Sequence, residues 1–232
     1  MSRTAERAAP DPRQKLLDAK RALYRESIVE AAERAFAQSG YDSAKVQAIA
    51  REAGVSLATF YAVFPKKWDV FRALQQDRLN QLMRSVATSV ARARGPFERL
   101  RCGIEGYLRF HMANPDFLRV QLREGIPWGT TDELRTPEQT RAWEAGLQMM
   151  ISAFAEGMQQ GLFVVDDPEL CARTATAMSQ VRLVLWIDRD MKEQADDVAR
   201  SAMLQLVRTF VRPEKVQELC ATLCAPFGVH SA

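Results

Sequence analysis

The chain is poor in the residues that most chemistry requires. It has two histidines and four cysteines in 232 residues. Cys102 and Cys171 stand alone, and although Cys220 and Cys224 fall one helical turn apart, only His111 and His230 could join them. Zinc takes four clustered N or S ligands, so the thiols are expected to be buried or free, with no metal and no cofactor. No Gly-rich phosphate loop and no Ser nucleophile elbow occurs, and the acidic pairs Asp166-Asp167 and Asp196-Asp197 sit at expected helix starts, where the dipole favours them. An enzyme is not expected. The longest apolar run, Leu183 to Ile187, is far too short to cross a bilayer, and Met1 to Arg25 has no apolar run of the signal-peptide kind. A cytoplasmic protein with reduced thiols and no membrane partner is the expectation.

Charge of one sign is scarce as well. The net charge is +3. All of it falls in residues 1–70, which hold 12 Lys+Arg against 9 Asp+Glu, while residues 71–232 balance. Apolar residues make up 47% of the chain, and 11 Gly and 10 Pro are modest numbers, so an ordered protein is expected.

What is present is concentrated in Val46 to Phe64, VQAIAREAGVSLATFYAVF. Val46, Ile49, Ala50 and Ala53 share one face of a short helix. Gly54 is placed where the chain needs a positive φ, Val55 packs the turn, and Ser56 can cap a second helix. Phe60 and Phe64, four apart, return that helix to a core. Leu57, Ala58, Thr59, Tyr61 and Ala62 are left outward, as in a helix-turn-helix whose second helix enters a major groove. The same pattern could also serve as a mere helical hairpin in an all-α core.

Arg25, Ile28, Ala31, Ala32, Phe36, Gly40, Tyr41, Val46, Ile49, Ala50, Ala53, Gly54, Val55, Ser56, Thr59, Phe60, Tyr61, Phe64 and Lys67 together resemble the DNA-binding domain of the TetR family of bacterial transcriptional regulators. The remainder resembles the family in length and helical layout. The resemblance implies an all-α protein with an N-terminal three-helix DNA-binding domain and a larger helical domain for effector binding and dimerisation. Tyr61 and Lys67 match the family's phosphate-contacting Tyr and Lys. Two positions depart from the pattern. Ala44 stands where the family commonly has a capping Thr, so either Ser43 takes over the cap or Lys45 takes the phosphate contact. Val63 replaces a frequent His. Base contacts then fall to Gln47 and to Leu57, Ala58 and Thr59 against thymine methyls, with Arg25, Lys45 and Ser56 beside them.

Punctuation divides the rest. Residues 1–20 read as a flexible basic arm able to lie along phosphates or in a minor groove, 21–66 as the DNA-binding domain, 67–213 as the effector and dimerisation domain, and 214–232 as a tail or short helix. Helices are expected over about Leu23–Gln38, Lys67–Arg92, Phe97–Ala113, Asp116–Glu124, Pro137–Gln160, Pro168–Arg189 and Gln194–Val211. The last two carry wide apolar stripes: Val181 and Leu185 with Ala177, Val184 and Trp186, then Val198, Ala202, Leu206 and Phe210. Such stripes fit either a homodimer interface, which the resemblance implies, or a pair of helices buried in a monomer.

The resemblance also implies a pocket among the middle helices. By position and type, Phe110, His111, Trp128, Trp143, Met150, Phe154 and Met178 are its candidate lining, for an apolar or amphipathic small molecule. The expected function is a dimeric transcriptional regulator, a repressor, that binds double-stranded DNA at a palindromic operator and is released by an effector. Two rivals stand beside it. One is a structural or division-related DNA-binding protein of the same fold without effector; the other is a helical small-molecule-binding protein or enzyme whose helix-turn-helix is only packing.

Overall fold

The computed structural model describes residues 11–124 and 137–224. Ten helices occupy them: α1 Pro12–Ser43, α2 Val46–Glu52, α3 Leu57–Val63, α4 Lys67–Arg92, α5 Pro96–Ala113, α6 Pro115–Arg123, α7 Pro137–Gln159, α8 Pro168–Asp188, α9 Ala195–Phe210 and α10 Pro213–Cys224. Proline opens six of the ten, at the position where its missing N–H costs no hydrogen bond.

The chain divides into two compact units, one ending at Gln75 and the other beginning at Gln76. The division falls inside α4, beyond the expected boundary before Lys67, because the first turns of α4 pack with the N-terminal helices. Val70, Phe71 and Leu74 are buried there. Phe36, Tyr41, Trp68 and Phe71 form a ring cluster with centroids 5.1 to 6.0 Å apart, Trp68 stacked on Phe71. Ile28, Ala31, Ala32 and Phe36 of α1, Ile49 and Ala50 of α2, and Phe60 and Phe64 complete this core.

One expectation for this unit is corrected. The arm over residues 1–20 was expected to be flexible, yet α1 already begins at Pro12, with the Asp11 carboxylate capping it by accepting from the Arg13 N–H at 3.1 Å. Asp followed by Pro is itself a helix-start signal. Gly40, at φ 79°, breaks the helix before its last turn.

In the second unit, Leu100, Ile104 and Leu108 of α5, Ala153 and Phe154 of α7, Cys171, Ala172, Ala175 and Leu183 of α8, and Val198, Met203 and Leu206 of α9 share one core. Val216, Leu219, Cys220 and Leu223 of α10 pack against it, so the segment after Pro213 is a docked helix as far as Cys224.

The chain leaving α7 turns back sharply at Gly161, φ 64°. It pairs with the end of α9, Val164 N–H donating to Phe210 O at 2.9 Å and Arg212 N–H to Leu162 O at 3.0 Å. This fold-back lays the fully buried Phe163 ring on Gly157, where a Cβ would stand 2.3 Å from two ring carbons. Gly157→Ala is therefore expected to force the ring out of its place and lower stability by about 1–3 kcal/mol. Denaturant unfolding of the variant measures it; a change below a few tenths would mean that the ring has room to move.

Candidate nucleic-acid interface

The link between α2 and α3 is built as the residues dictate. Gly54 has φ 68°. Its N–H donates to Arg51 O at 3.1 Å and the Val55 N–H to Ala50 O at 2.9 Å, the paired bonds by which a left-handed residue closes a helix end. The Ser56 hydroxyl then accepts from the Thr59 N–H at 3.0 Å and lies 2.9 Å from the Thr59 hydroxyl, so both side chains serve the start of α3. Phe60 is fully buried and Phe64 is 7% exposed, which fixes the roll of α3. Leu57 at 41% and Tyr61 at 49% exposure, with Ala58 and Ala62, face outward, and Thr59 is half-buried. Tyr61 is not a core aromatic.

Before this element, α2 starts without a side-chain cap. Lys45 is the cap residue and its ammonium cannot accept a hydrogen bond, while Ser43 does not reach. Ala44, where the family's Thr would be, is 6% exposed and packs inward. Lys45 and Gln47 are exposed beside it, and Arg25 is half-buried on α1.

Lys67 requires a correction. It was expected to hold phosphate, yet its ammonium donates to Tyr41 O at 2.6 Å, Asp42 O at 3.1 Å and Ala44 O at 3.1 Å, which uses all three of its protons. It also lies 4.4 Å from the Tyr41 ring centroid. The residue closes the C-terminal end of α1, where carbonyls lack helical partners. Its neighbour Lys66 is exposed.

Among the described residues, the candidate effector residues do not come together as one set. Phe154 is fully buried, its ring 5.1 Å from both Phe163 and Phe210, so it is enclosed core. Met150 and Met178 are half-buried against the same core. Phe110 and His111 instead group with Phe117 of α6 at 6.4 and 6.1 Å, and Tyr107 lies 4.4 Å from His111. Tyr107 and Phe117 were missed because only the fold places them beside the imidazole. His111 is 1% exposed, with Nδ1 2.9 Å from Tyr107 O. Burial lowers its pKa to about 4, against the backbone hydrogen bond that favours the proton, so the ring is neutral at physiological pH. Burial also pushes the Tyr107 phenol well up. Trp143 is half-buried on α7, and Trp128 lies outside the described residues. A cavity of about 240 Å³ occurs elsewhere, between the end of α7 and the start of α8, lined by Met158, Phe163, Leu170, Cys171, Thr174 and Phe210 among others; none of the six described candidates borders it.

The expected dimer residues divide between the two accounts left open above. Val181 and Leu185 of α8 are 57% and 42% exposed, in line with Ala177 and Val184. Val198, Ala202, Leu206 and Phe210 of α9 are 2–8% exposed within their own chain, a correction. That stripe and the buried Ala199, Met203 and Val207 beside it are covered because α5, α8 and α10 all pack against α9. Trp186 is likewise core, its indole donating to Glu193 O at 3.0 Å. Arg182 ties α8 to α9 through Ser201 Oγ at 2.8 Å and Gln205 Oε1 at 2.5 Å. Among the described residues no helix is long and apolar enough to cross a membrane.

Comparison with known proteins agrees with this geometry. Residues 28–74 match the bacterial regulatory proteins of the tetR family, and residues 93–210 match the tetracyclin repressor-like C-terminal domain. The HTH-type transcriptional repressor SCO4008 of Streptomyces coelicolor is 25% identical over 166 residues, 68% of this chain and 81% of that protein. Among solved structures, the TetR family regulator PfmR of Thermus thermophilus superposes with a TM-score of 0.67 at 24% identity, over 78% of this chain and 97% of that one. FadR of Bacillus subtilis, solved with stearoyl-CoA, gives 0.64 at 22% identity, over 78% and 96%. With both domains matched in order along one chain, and the outward face of α3 held as a DNA-reading helix requires, this protein belongs to the TetR family of DNA-binding transcriptional regulators and is not an enzyme.

Proposed function

We propose that the protein is a homodimeric repressor that binds a palindromic operator and is released by an apolar or amphipathic effector. The observation that carries it is the outward face of α3: Leu57, Ala58 and Tyr61 are exposed on a helix whose roll is fixed by buried Phe60 and Phe64. Nothing in the packing of the N-terminal unit requires these side chains there. In this reading Leu57, Ala58 and Thr59 meet base edges and methyls, Gln47 hydrogen-bonds a base, and Tyr61, Lys45, Lys66, Arg25 and the start of α3 at Ser56 meet phosphates.

One such helix covers too little DNA to be specific, so two half-sites and a dimer are needed. The exposed strip Ala177, Val181, Val184 and Leu185 on α8 supports a dimer surface. Repression follows the Streptomyces relative. The stearoyl-CoA held by FadR is amphipathic, which makes acyl-CoA thioesters the first effector class to test. Release requires the effector to favour the DNA-incompetent state, and by linkage operator must weaken effector binding by the same factor.

Sequencing of genomic fragments retained by the purified protein at near-physiological salt tests this reading. Recovery of a few palindromic sites near promoters is the expected result, and recovery of scattered, salt-labile fragments would defeat it. On a recovered fragment, Tyr61→Phe removes one solvent-facing hydroxyl without touching the core. It is expected to weaken binding about tenfold, the worth of a hydrogen bond to a charged phosphate, with thermal stability unchanged. An unaltered Kd would remove Tyr61 from the interface.

A further inference from the structure

Helix α1 begins well ahead of the core it serves. Every residue from Pro12 to Leu23 is exposed, and the first buried side chain is Ile28. At about 1.5 Å per residue this stretch projects roughly 18 Å. Its side chains meet each other, Gln14 donating to Asp18 at 2.9 Å and the Lys20 ammonium lying 5.6 Å from the Tyr24 ring centroid. Continuity with the packed part of α1 spares this stretch the cost of nucleating a helix, and its exposed side chains offer a surface to a partner.

The residues indicate which partner. Pro12 to Arg25 holds Arg13, Lys15, Lys20, Arg21 and Arg25 against the single acid Asp18. Leu16, Leu17 and Leu23 are 72%, 61% and 64% exposed. At about 100° per residue, Leu16 and Leu23 lie close to one line and Leu17 about a quarter-turn away, with basic residues spread round the rest of the helix. A membrane-surface helix or a helix–helix seam needs apolar and charged faces kept apart, and here they are not. Positive charge all round a helix suits a polyanion that flanks it, and the segment is continuous with the helix that carries Ile28, Ala32 and Phe36 of the DNA-reading unit.

We propose that Pro12–Arg25 is a second DNA-contacting element, a preformed basic helix that lies along the phosphates bordering the site read by α3. The inference rests on the DNA-binding reading given above. It differs in being independent of sequence: the helix supplies charge, and α3 supplies specificity. Because it is already helical, docking carries little ordering cost.

The experiment is fluorescence anisotropy of the full chain against a labelled mixed-sequence duplex over a series of KCl concentrations. Wild type is compared with the triple variant K15Q/K20Q/R21Q, in which glutamine keeps helix propensity and removes charge. The expected result is a salt slope lower by about 2–3, and Kd at near-physiological salt raised about tenfold to a hundredfold. The melting temperature should not move, since all three side chains are exposed. An unchanged slope and Kd overturn the inference. So does a variant that binds DNA as wild type does but no longer sediments with phosphatidylglycerol vesicles that wild type binds, because the helix would then serve a membrane. DNA binding weakened by Lys45→Ala or Tyr61→Phe yet untouched by the triple variant defeats this inference alone. A wild-type protein with no affinity for duplex DNA defeats it together with the DNA-binding reading.

Discussion

Acidification from pH 6.5 to pH 4 is expected to remove about 3 kcal/mol of stability through one residue, His111. In the unfolded chain the imidazole takes a proton near its ordinary value of 6.5; in the folded chain, buried at 1% exposure, it resists until about 4. Above pH 6.5 both states hold the ring neutral and stability from this source is complete. As pH falls below 6.5 the unfolded state binds a proton that the folded state refuses, and each further unit costs about 1.4 kcal/mol until the folded ring also titrates near 4. The surroundings explain the refusal. Tyr107, Phe110 and Phe117 supply rings with centroids 4.4 to 6.1 Å away, and the Tyr107 carbonyl at Nδ1 only partly compensates a charge. Carboxylates titrate in the lower part of the same window, so the readout is a difference. Urea unfolding of wild type and His111→Leu at a series of pH values should give curves that diverge between 6.5 and 4, the variant losing less. Parallel curves would show that the folded imidazole accepts its proton as easily as the unfolded one.

The second large effect is expected at Lys67. Lys67→Met keeps the length of the stem and removes the three donors that serve the carbonyls of Tyr41, Asp42 and Ala44, together with the cation over the Tyr41 ring. Hydrogen bonds from a charged donor and a cation–π contact together place the loss at about 2–4 kcal/mol. The unit that bears it ends at Gln75, and a core of that size has little stability in reserve. DNA binding by the variant should therefore fail on warming yet persist in the cold, with an unaltered salt slope wherever the unit is folded. A phosphate-holding lysine would give the reverse: unchanged melting and a slope lower by about one. Lys66→Ala is the matched comparison, since that side chain is exposed at the same end of α4.

These two residues mark where reading the sequence stops. The turn of the helix-turn-helix was legible because its determinants are local. A residue at φ 68° had to be Gly54, a hydroxyl one place before α3 could reach only its first turn, and two phenylalanines four apart fix a helix face whatever lies opposite. The breaks at Gly95-Pro96, Asn114-Pro115, Pro168 and Pro213 were legible for the same reason, and each observed helix begins within about two residues of its expected start from α4 onward. The start of α1 was equally local, in Asp11-Pro12, but two prolines among charges read as a tail.

Other features depended on what the fold brings opposite a side chain. The apolar arcs of α9 announced a helix covered on two sides without saying by what, and α5, α8 and α10 of the same chain cover them, leaving the exposed strip to α8. Phe154 was an aromatic of the right type for a pocket, and Phe163 and Phe210 enclose it. His111 carried no mark of its depressed pKa, because the rings that desolvate it include one from another helix. Lys67 matched a motif, and the chain's own carbonyls took its protons. The sequence by itself determined the helices, their ends and the outward face of α3, since backbone conformation and capping answer to neighbours in the chain. Only the tertiary structure decided the partners of each side chain, since a donor, a charge or an apolar face takes whichever complement folding places within reach.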